Sequence, residues 1–329
     1  MKRISTSLAV GLVFALLLAG CGRGVIDTGP IEADDPAAEP PVEDEQPEEP
    51  AEPADPEPEP AQPAEPSDEA PESDADVPEE GATTEVRLYY LAPGGGTPGR
   101  ADPFLVSVQR EIPSTPRIAL ATLRELVDGP SGSDVELITG VSSAVPDGTL
   151  VLDVVIDDGL ATVDLSREYE SGGGSFSMLS RLAQVVYTVT QFPTVNEVAF
   201  ALDGQPVTVF SGEGIGLDEP VSRDDYLDLL PTVFVDVPAA GATVTSPLRV
   251  TGMGAVFEAT FQYRLEAADG TVLDEGFAMT DTGVGWGPFD VTIPFDVDES
   301  QAGALTVWEY SAKDGSVQAE RVTPLILAP

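Results

Sequence analysis

The sequence predicts a multidomain chain, in which an α+β domain is followed by an all-β two-sheet sandwich and the pair is preceded by a disordered linker. Three observations carry this expectation. Residues 24–85 hold 23 Asp or Glu and no Lys or Arg, in a tract dense in Pro, Ala and Glu. Residues 86–231 mix two helix-spaced apolar stripes with short alternating runs. Residues 232–329 hold seven short apolar runs without a helical stripe. Strands mixed with helices bury their apolar sides as helices laid on a sheet face, whereas strands alone must pack sheet on sheet.

The chain opens MKRISTSLAVGLVFALLLAGCGRG. Lys2 and Arg3 precede an apolar run from Leu8 to Leu18, which ends in small residues before Cys21. These are the parts of a signal peptide over residues 1–20. The apolar run, about 11 residues or roughly 16 Å as a helix, falls short of the ~20 residues that span a bilayer. Leu18, Ala19, Gly20 and Cys21 resemble the lipobox of bacterial lipoproteins, which implies a diacylglyceryl thioether on Cys21 and cleavage just before it. Two acyl chains hold a protein at a membrane where one is marginal. Cys21 is the single cysteine of 329 residues, so no intrachain disulfide is available and lipidation accounts for an otherwise reactive exported thiol.

Residues 21–85 form the expected linker. Like charges repel and large apolar side chains are scarce, so the tract has nothing to collapse around, and its prolines favour an extended stalk.

In the first folded region, expected over residues 86–231, Val86–Leu91 and Leu105–Ile112 are strand candidates, the second without clean alternation. Thr115-Pro116 offers a helix cap and first-turn proline. Leu120, Leu123 and Val127 supply the stripe, and Asp128-Gly129-Pro130 the stop. An irregular stretch follows. Leu150–Ile156 and Leu160–Leu165 flank Asp157-Asp158-Gly159 as a hairpin, with Leu152, Val154 and Ile156 on one face of the first arm and Ala161, Val163 and Leu165 on the second. Ser175–Gln191 reads as a helix with Leu179, Leu182, Ala183, Val186 and Val189 inward. Val195–Leu202 and Val207–Phe210 form a further hairpin about Asp203-Gly204.

The segments TPRIALATLRELVDGP, VPDGTLVLDVVIDDGLATVDLSREY and FPTVNEVAFALDGQPV, in that order, resemble the GerMN domain of bacterial lipoproteins and spore germination proteins. The resemblance covers nearly 150 residues. It implies association rather than catalysis, and only one copy is visible where germination proteins carry two.

Residues 232–329 supply strand candidates at Val233–Val237, Leu248–Gly252, Ala259–Glu266, Val272–Met279, Phe289–Phe295, Ala304–Tyr310 and Val317–Pro324, with Asp269-Gly270 and Asp314-Gly315 as the clearest turns. The stretch VFVDVPAAGATVTSPLRVTGMGAVFEATFQYRL, with the later VWEYSAKDG, resembles the immunoglobulin-like domain of bacterial spore germination proteins. That resemblance implies an immunoglobulin-like β-sandwich used for binding or positioning. Trp308 lies mid-strand and reads as core. Trp286, in GVGWGPF, is the candidate ligand contact.

The chain has no histidine, which removes Ser-His-Asp and Cys-His catalysis and His-based zinc sites. Phosphate-binding and nucleophile-elbow motifs do not occur, and the Gly runs at 94–96 and 172–174 read as loops. Glu168 and Glu170 read as surface charge, and Asp157 and Asp158 as turn residues. Asp218, Glu219, Asp224, Asp225 and Asp228 raise the idea of a calcium-stiffened junction. Residues 86–329 carry 35 acidic against 12 basic groups, a surface unsuited to nucleic acid.

The expectation is therefore a noncatalytic binding or scaffolding lipoprotein of the cell envelope. It would be anchored to the extracytoplasmic side of the cell membrane through diacylglyceryl-Cys21, with an envelope protein or cell-wall polymer as partner and no cofactor or metal. The alternative is a glycan-binding protein, or a glycan-processing one that uses two carboxylates.

Overall fold

A computed structural model of the protein describes residues 81–94, 102–212 and 214–329. The signal peptide, Leu18, Ala19, Gly20, Cys21 and the acidic linker up to residue 80 lie outside the described residues.

The first strand among the described residues is β1 (Thr83–Ala92), paired antiparallel along its length with β2 (Phe104–Pro113). Tyr89, Tyr90 and Leu91 are all buried, so β1 is covered on both faces. That explains why these strands read as continuous apolar runs instead of alternating ones. Helix α1 (Ile118–Val127) lays Leu120, Leu123 and Leu126 on the core and ends at Gly129, whose φ of +82° needs no Cβ accommodation. The Thr115 hydroxyl does not cap α1 itself. It accepts from the Arg117 N–H in the preceding turn, and the helix starts two residues later than expected. The stretch expected to be irregular holds a short helix, α2 (Gly132–Leu137), closed by a reciprocal capping box between Ser131 and Asp134.

Strands β3 (Val151–Asp157) and β4 (Leu160–Leu165) form the expected hairpin, with Asp158 and Gly159 both at positive φ. Ala161, Val163 and Leu165 are buried as anticipated, and so is Val154 on β3, but Leu152 and Ile156, expected beside it, are not. A bulge between Val151 and Asp153 leaves Leu152 as the extra, exposed residue and turns Val151 inward, whereas Ile156 keeps the face of Val154, opposite Ala161, but is exposed at the turn end of the strand. Helix α3 (Ser175–Val189) buries Leu182, Ala183, Val186 and Val189, whereas Leu179, expected inside, is exposed near its N-terminus. Strand β5 (Glu197–Leu202) then runs parallel to β4, which makes β4-α3-β5 a crossover unit. It turns at Asp203-Gly204 into the two-residue β6 (Gln205–Pro206). Val209 and Phe210 pair not with β5 but, as β7 (Val209–Phe210), with β8 (Ile215–Gly216).

After a 3-10 segment (Arg223–Leu229), the second region forms two sheets. One holds β9 (Val233–Val237), β11 (Leu248–Gly254) and β14 (Gly287–Ile293) in the order β14-β11-β9. The other holds β10 (Thr243–Val244), β12 (Thr260–Ala267), β13 (Val272–Met279), β15 (Gln301–Tyr310) and β16 (Val317–Leu327) in the order β10-β16-β15-β12-β13. Val250, Phe261, Leu265, Phe289, Leu305 and Val307 fill the space between these sheets. This is the expected immunoglobulin-like sandwich behind an α+β region, with two cores in place.

The two cores are not independent. Phe234 of β9 belongs to the first core, not the second, and Met253 packs against it from the same sheet. The chain beyond β9 also bonds to β2, with Gln109 N donating to the Ala240 carbonyl (2.8 Å) and Ala240 N to that of Ser107 (3.0 Å).

Candidate functional site

The densest polar arrangement lies where the first core meets β9. Tyr89 on β1 is fully buried, and its hydroxyl donates to the Asp236 carboxylate on β9. Arg223 reaches in from the 3-10 segment. Its Nη1 meets Asp236 Oδ2 at 2.9 Å, its Nη2 donates to the Tyr89 hydroxyl (3.1 Å) and the Tyr187 carbonyl (3.0 Å), and its Nε donates to Thr190 Oγ1 (2.7 Å). The guanidinium also lies 4.7 Å from the Tyr187 ring centre. On the opposite side of the carboxylate, Arg87 Nε is 3.9 Å away and donates to the Tyr89 hydroxyl at 3.1 Å. Phe234 closes the cluster with its ring edge-on to Tyr187, centroids 5.8 Å apart.

These contacts set the charge states. Burial, reinforced by the Asp236 charge, pushes the Tyr89 phenol up to about 12. Burial alone would lower Arg223, but Tyr89 and Asp236 hold it above its ordinary value. Arg87 is held up in the same way. With the phenol and both guanidiniums pushed up, Tyr89, Arg223 and Arg87 keep their protons at neutral pH around the carboxylate they share.

Beside this cluster opens a cleft of about 630 Å³ between the 3-10 segment and the β14-β11-β9 sheet. Leu227, Phe234, Met253 and Phe289 line its apolar part, and Asp224, Asp281 and Asp290 its polar part. Asp290 is held bidentately by Arg249, while Asp224 and Asp281 make no ion pair among the described residues.

The residues singled out from sequence fall in several places. Trp286 precedes β14, half-buried, and packs against the first core across the junction. Trp308 is buried in β15 as expected, beneath the Arg264 guanidinium at 5.4 Å. Glu168 and Glu170 are surface residues of a 3-10 turn, with Glu170 paired to Arg167 at 3.4 Å. Asp157 and Asp158 sit at the β3-β4 turn. The acidic residues near the junction do not converge. Asp225 caps the 3-10 segment through Ser222, and among the described residues no group of three Asp or Glu could hold a metal ion. Tyr89, Tyr187, Arg223 and Asp236 escaped the sequence reading. The one signal for them was a carboxylate inside the apolar run Val233-Phe234-Val235-Asp236-Val237.

Fold and junction together define a class: an α+β domain locked by a buried ion cluster to an immunoglobulin-like sandwich. Residues 87–208 match the family described as sporulation and spore germination, and residues 232–316 match the immunoglobulin-like domain of bacterial spore germination. The chain is therefore a GerMN domain followed by the immunoglobulin-like domain of spore germination proteins. It is 26% identical over 242 residues to the spore germination protein GerM of Bacillus subtilis, an alignment that takes in 74% of this chain and 60% of GerM. The chain thus spans well under two thirds of that relative's length. Among solved structures, the first GerMN domain of B. subtilis GerM aligns at 22% identity with a TM-score of 0.36, covering 43% of this chain and 99% of that one. The tandem GerMN domains of the same protein align at 16% identity and a TM-score of 0.35, covering 64% and 61%. Among the described residues no helix is long and apolar enough to cross a membrane.

Proposed function

We propose that the protein is a lipid-anchored, extracytoplasmic scaffolding module of the cell envelope, which presents its two domains as one rigid body to a protein partner and catalyses no reaction. The observation that carries this reading is the junction. Asp236 of the sandwich is held, largely shielded from water, between Arg223 and Arg87 of the first region, and Phe234 fills the first core. A fixed angle between two association modules is of use to an adaptor, because it avoids the ordering cost that a flexible tether pays on binding. The likeness to B. subtilis GerM supports a germination-associated setting. The lipobox-like Leu18-Ala19-Gly20-Cys21 supports anchoring on the outer side of the cell membrane.

Two measurements test it. Cells fed radiolabelled palmitate should label the natural chain but not Cys21→Ser, and the unlabelled variant should leave the membrane fraction. Crosslinking in intact cells, followed by affinity purification, should enrich a discrete envelope protein. Recovery of wall glycan alone, or release of new reducing ends from purified wall, would replace the scaffold reading with the glycan one.

A further inference from the structure

The cleft beside the junction is a concave surface that the scaffold reading leaves without an assigned occupant, and its chemistry is specific. Its volume of about 630 Å³ suits a few side chains rather than a flat contact. Its floor is apolar and includes Met253, and Met279 stands at its edge. These are two of the four methionines in the chain. Thioether side chains adapt to differently shaped apolar groups, a property suited to peptide grooves. Around that floor stand Asp224 and Asp281, both exposed and, among the described residues, both outside any ion pair. Among the described residues Arg223 is the one cation lining the cleft, and it is committed to Asp236.

We propose that this cleft is a docking site for an extended, basic segment of a partner protein, in which a large apolar side chain fills the floor and flanking Lys or Arg groups meet Asp224 and Asp281. Charge selects this occupant. The chain's own tract at 24–85 carries 23 carboxylates and no basic group, and a second copy of the chain brings a net charge of −43, so both are repelled. The occupant is a different, positively charged molecule. The walls are fixed in advance, because Tyr187 and Arg223 on one side and Phe234 and Asp236 on the other are joined by the ion cluster. Little ordering of the protein is needed on binding. The proposal rests on the scaffold reading and assigns that function's contact surface.

The test uses the full-length protein and fluorescein-labelled octapeptides GKFRKLGG and GEFEELGG, followed by anisotropy at two salt concentrations. The basic probe should bind, more weakly at high salt, and the acidic probe should not. Asp224→Asn with Asp281→Asn should weaken the basic probe at least tenfold and flatten its salt dependence. The same charge change at the exposed Asp298 and Glu299, made as Asp298→Asn with Glu299→Gln, should alter it less than twofold. Equal effects of the two double variants, or equal binding of the two probes, would overturn the proposal, since the attraction would then be diffuse. In intact cells, a crosslinked partner retained by the Asp224/Asp281 variant would also overturn it while leaving the scaffold reading standing. Failure of the unaltered chain to enrich any protein is the separate signature that sinks the scaffold reading.

Discussion

Replacing Asp236 by Asn preserves the side chain's shape while removing the one anion between Arg223, 2.9 Å away, and Arg87, 3.9 Å away. The amide can still accept from Tyr89 through its oxygen, but its NH2 then faces the Arg223 Nη1 donor, so a favourable contact becomes a repulsive one. Breaking a fully buried pair by neutralising one partner costs about 3–5 kcal/mol. With side-chain exposures of 17% for Asp236, 26% for Arg223 and 24% for Arg87, the lower end applies, about 3 kcal/mol. For a folded unit of this size that lowers Tm by about 6–12 °C. Differential scanning calorimetry of the unaltered chain, Asp236→Asn, Arg223→Gln and the double variant gives the coupling directly, expected at about 2 kcal/mol. The unaltered chain should melt in one transition, and Asp236→Asn should separate the melting of the two cores. A coupling below about 0.5 kcal/mol, or a single undivided transition in all four proteins, would refute the claim that this carboxylate holds the regions together.

Alkaline pH should act through the phenols. Tyr89 titrates near 10 when unfolded and at about 12 when folded, so its contribution is complete below pH 10 and is lost as pH climbs from about 10 to 12. Tyr90, Tyr169, Tyr187 and Tyr226 are raised by burial in the same direction, so in a Tyr263→Phe, Tyr310→Phe background, which leaves only these five phenols, tyrosinate absorbance should rise together with the loss of circular dichroism, and early ionisation in a still-folded chain would contradict this. Gln184→Leu should cost about 2–4 kcal/mol in urea unfolding, because it orphans the Tyr89 carbonyl and the Ala144 N–H, which now bond to the Gln184 amide at 2.9 and 2.7 Å. Gly252→Ala should destabilise by about 2–3 kcal/mol or more, since its Cβ would lie 1.9 Å from the Phe234 carbonyl oxygen and 2.7 Å from the Phe289 ring. A neutral result would mean that β9 and β11 separate easily.

Much of the architecture was legible because local chemistry and tertiary context agree. The turns at Asp158-Gly159, Gly270 and Gly315 take positive φ where the sequence asked for it, and Leu182, Ala183 and Val186 keep their helical stripe. The errors have physical causes. Period-two reading put Leu152 and Ile156 inside, yet a one-residue bulge, invisible to alternation, turns Leu152 outward, and Ile156, on the same face as buried Val154, is exposed where the strand runs out to its turn. Leu179 keeps the helical period, but it sits in the second turn of α3 and is left exposed there. Helix α2 is only six residues long and owes its closure to a capping box instead of an apolar stripe. The junction was the least legible part. Tyr89, Tyr187, Arg223 and Asp236 are scattered over 148 positions and meet only through the fold, so no spacing rule links them.

The placement of Phe234 has a practical corollary for anyone dividing this protein. Sequence families draw their line between residues 208 and 232, but the first hydrophobic interior is completed by a side chain that belongs, by descent, to the other module. Excision at that line would leave Tyr89 and Tyr187 facing water with a missing ring and a missing counter-ion, and would leave Asp236 on the excised half without its two arginines. The inherited units and the folding unit are thus cut to different patterns, and fragments designed from the first should aggregate where the intact pair stays soluble.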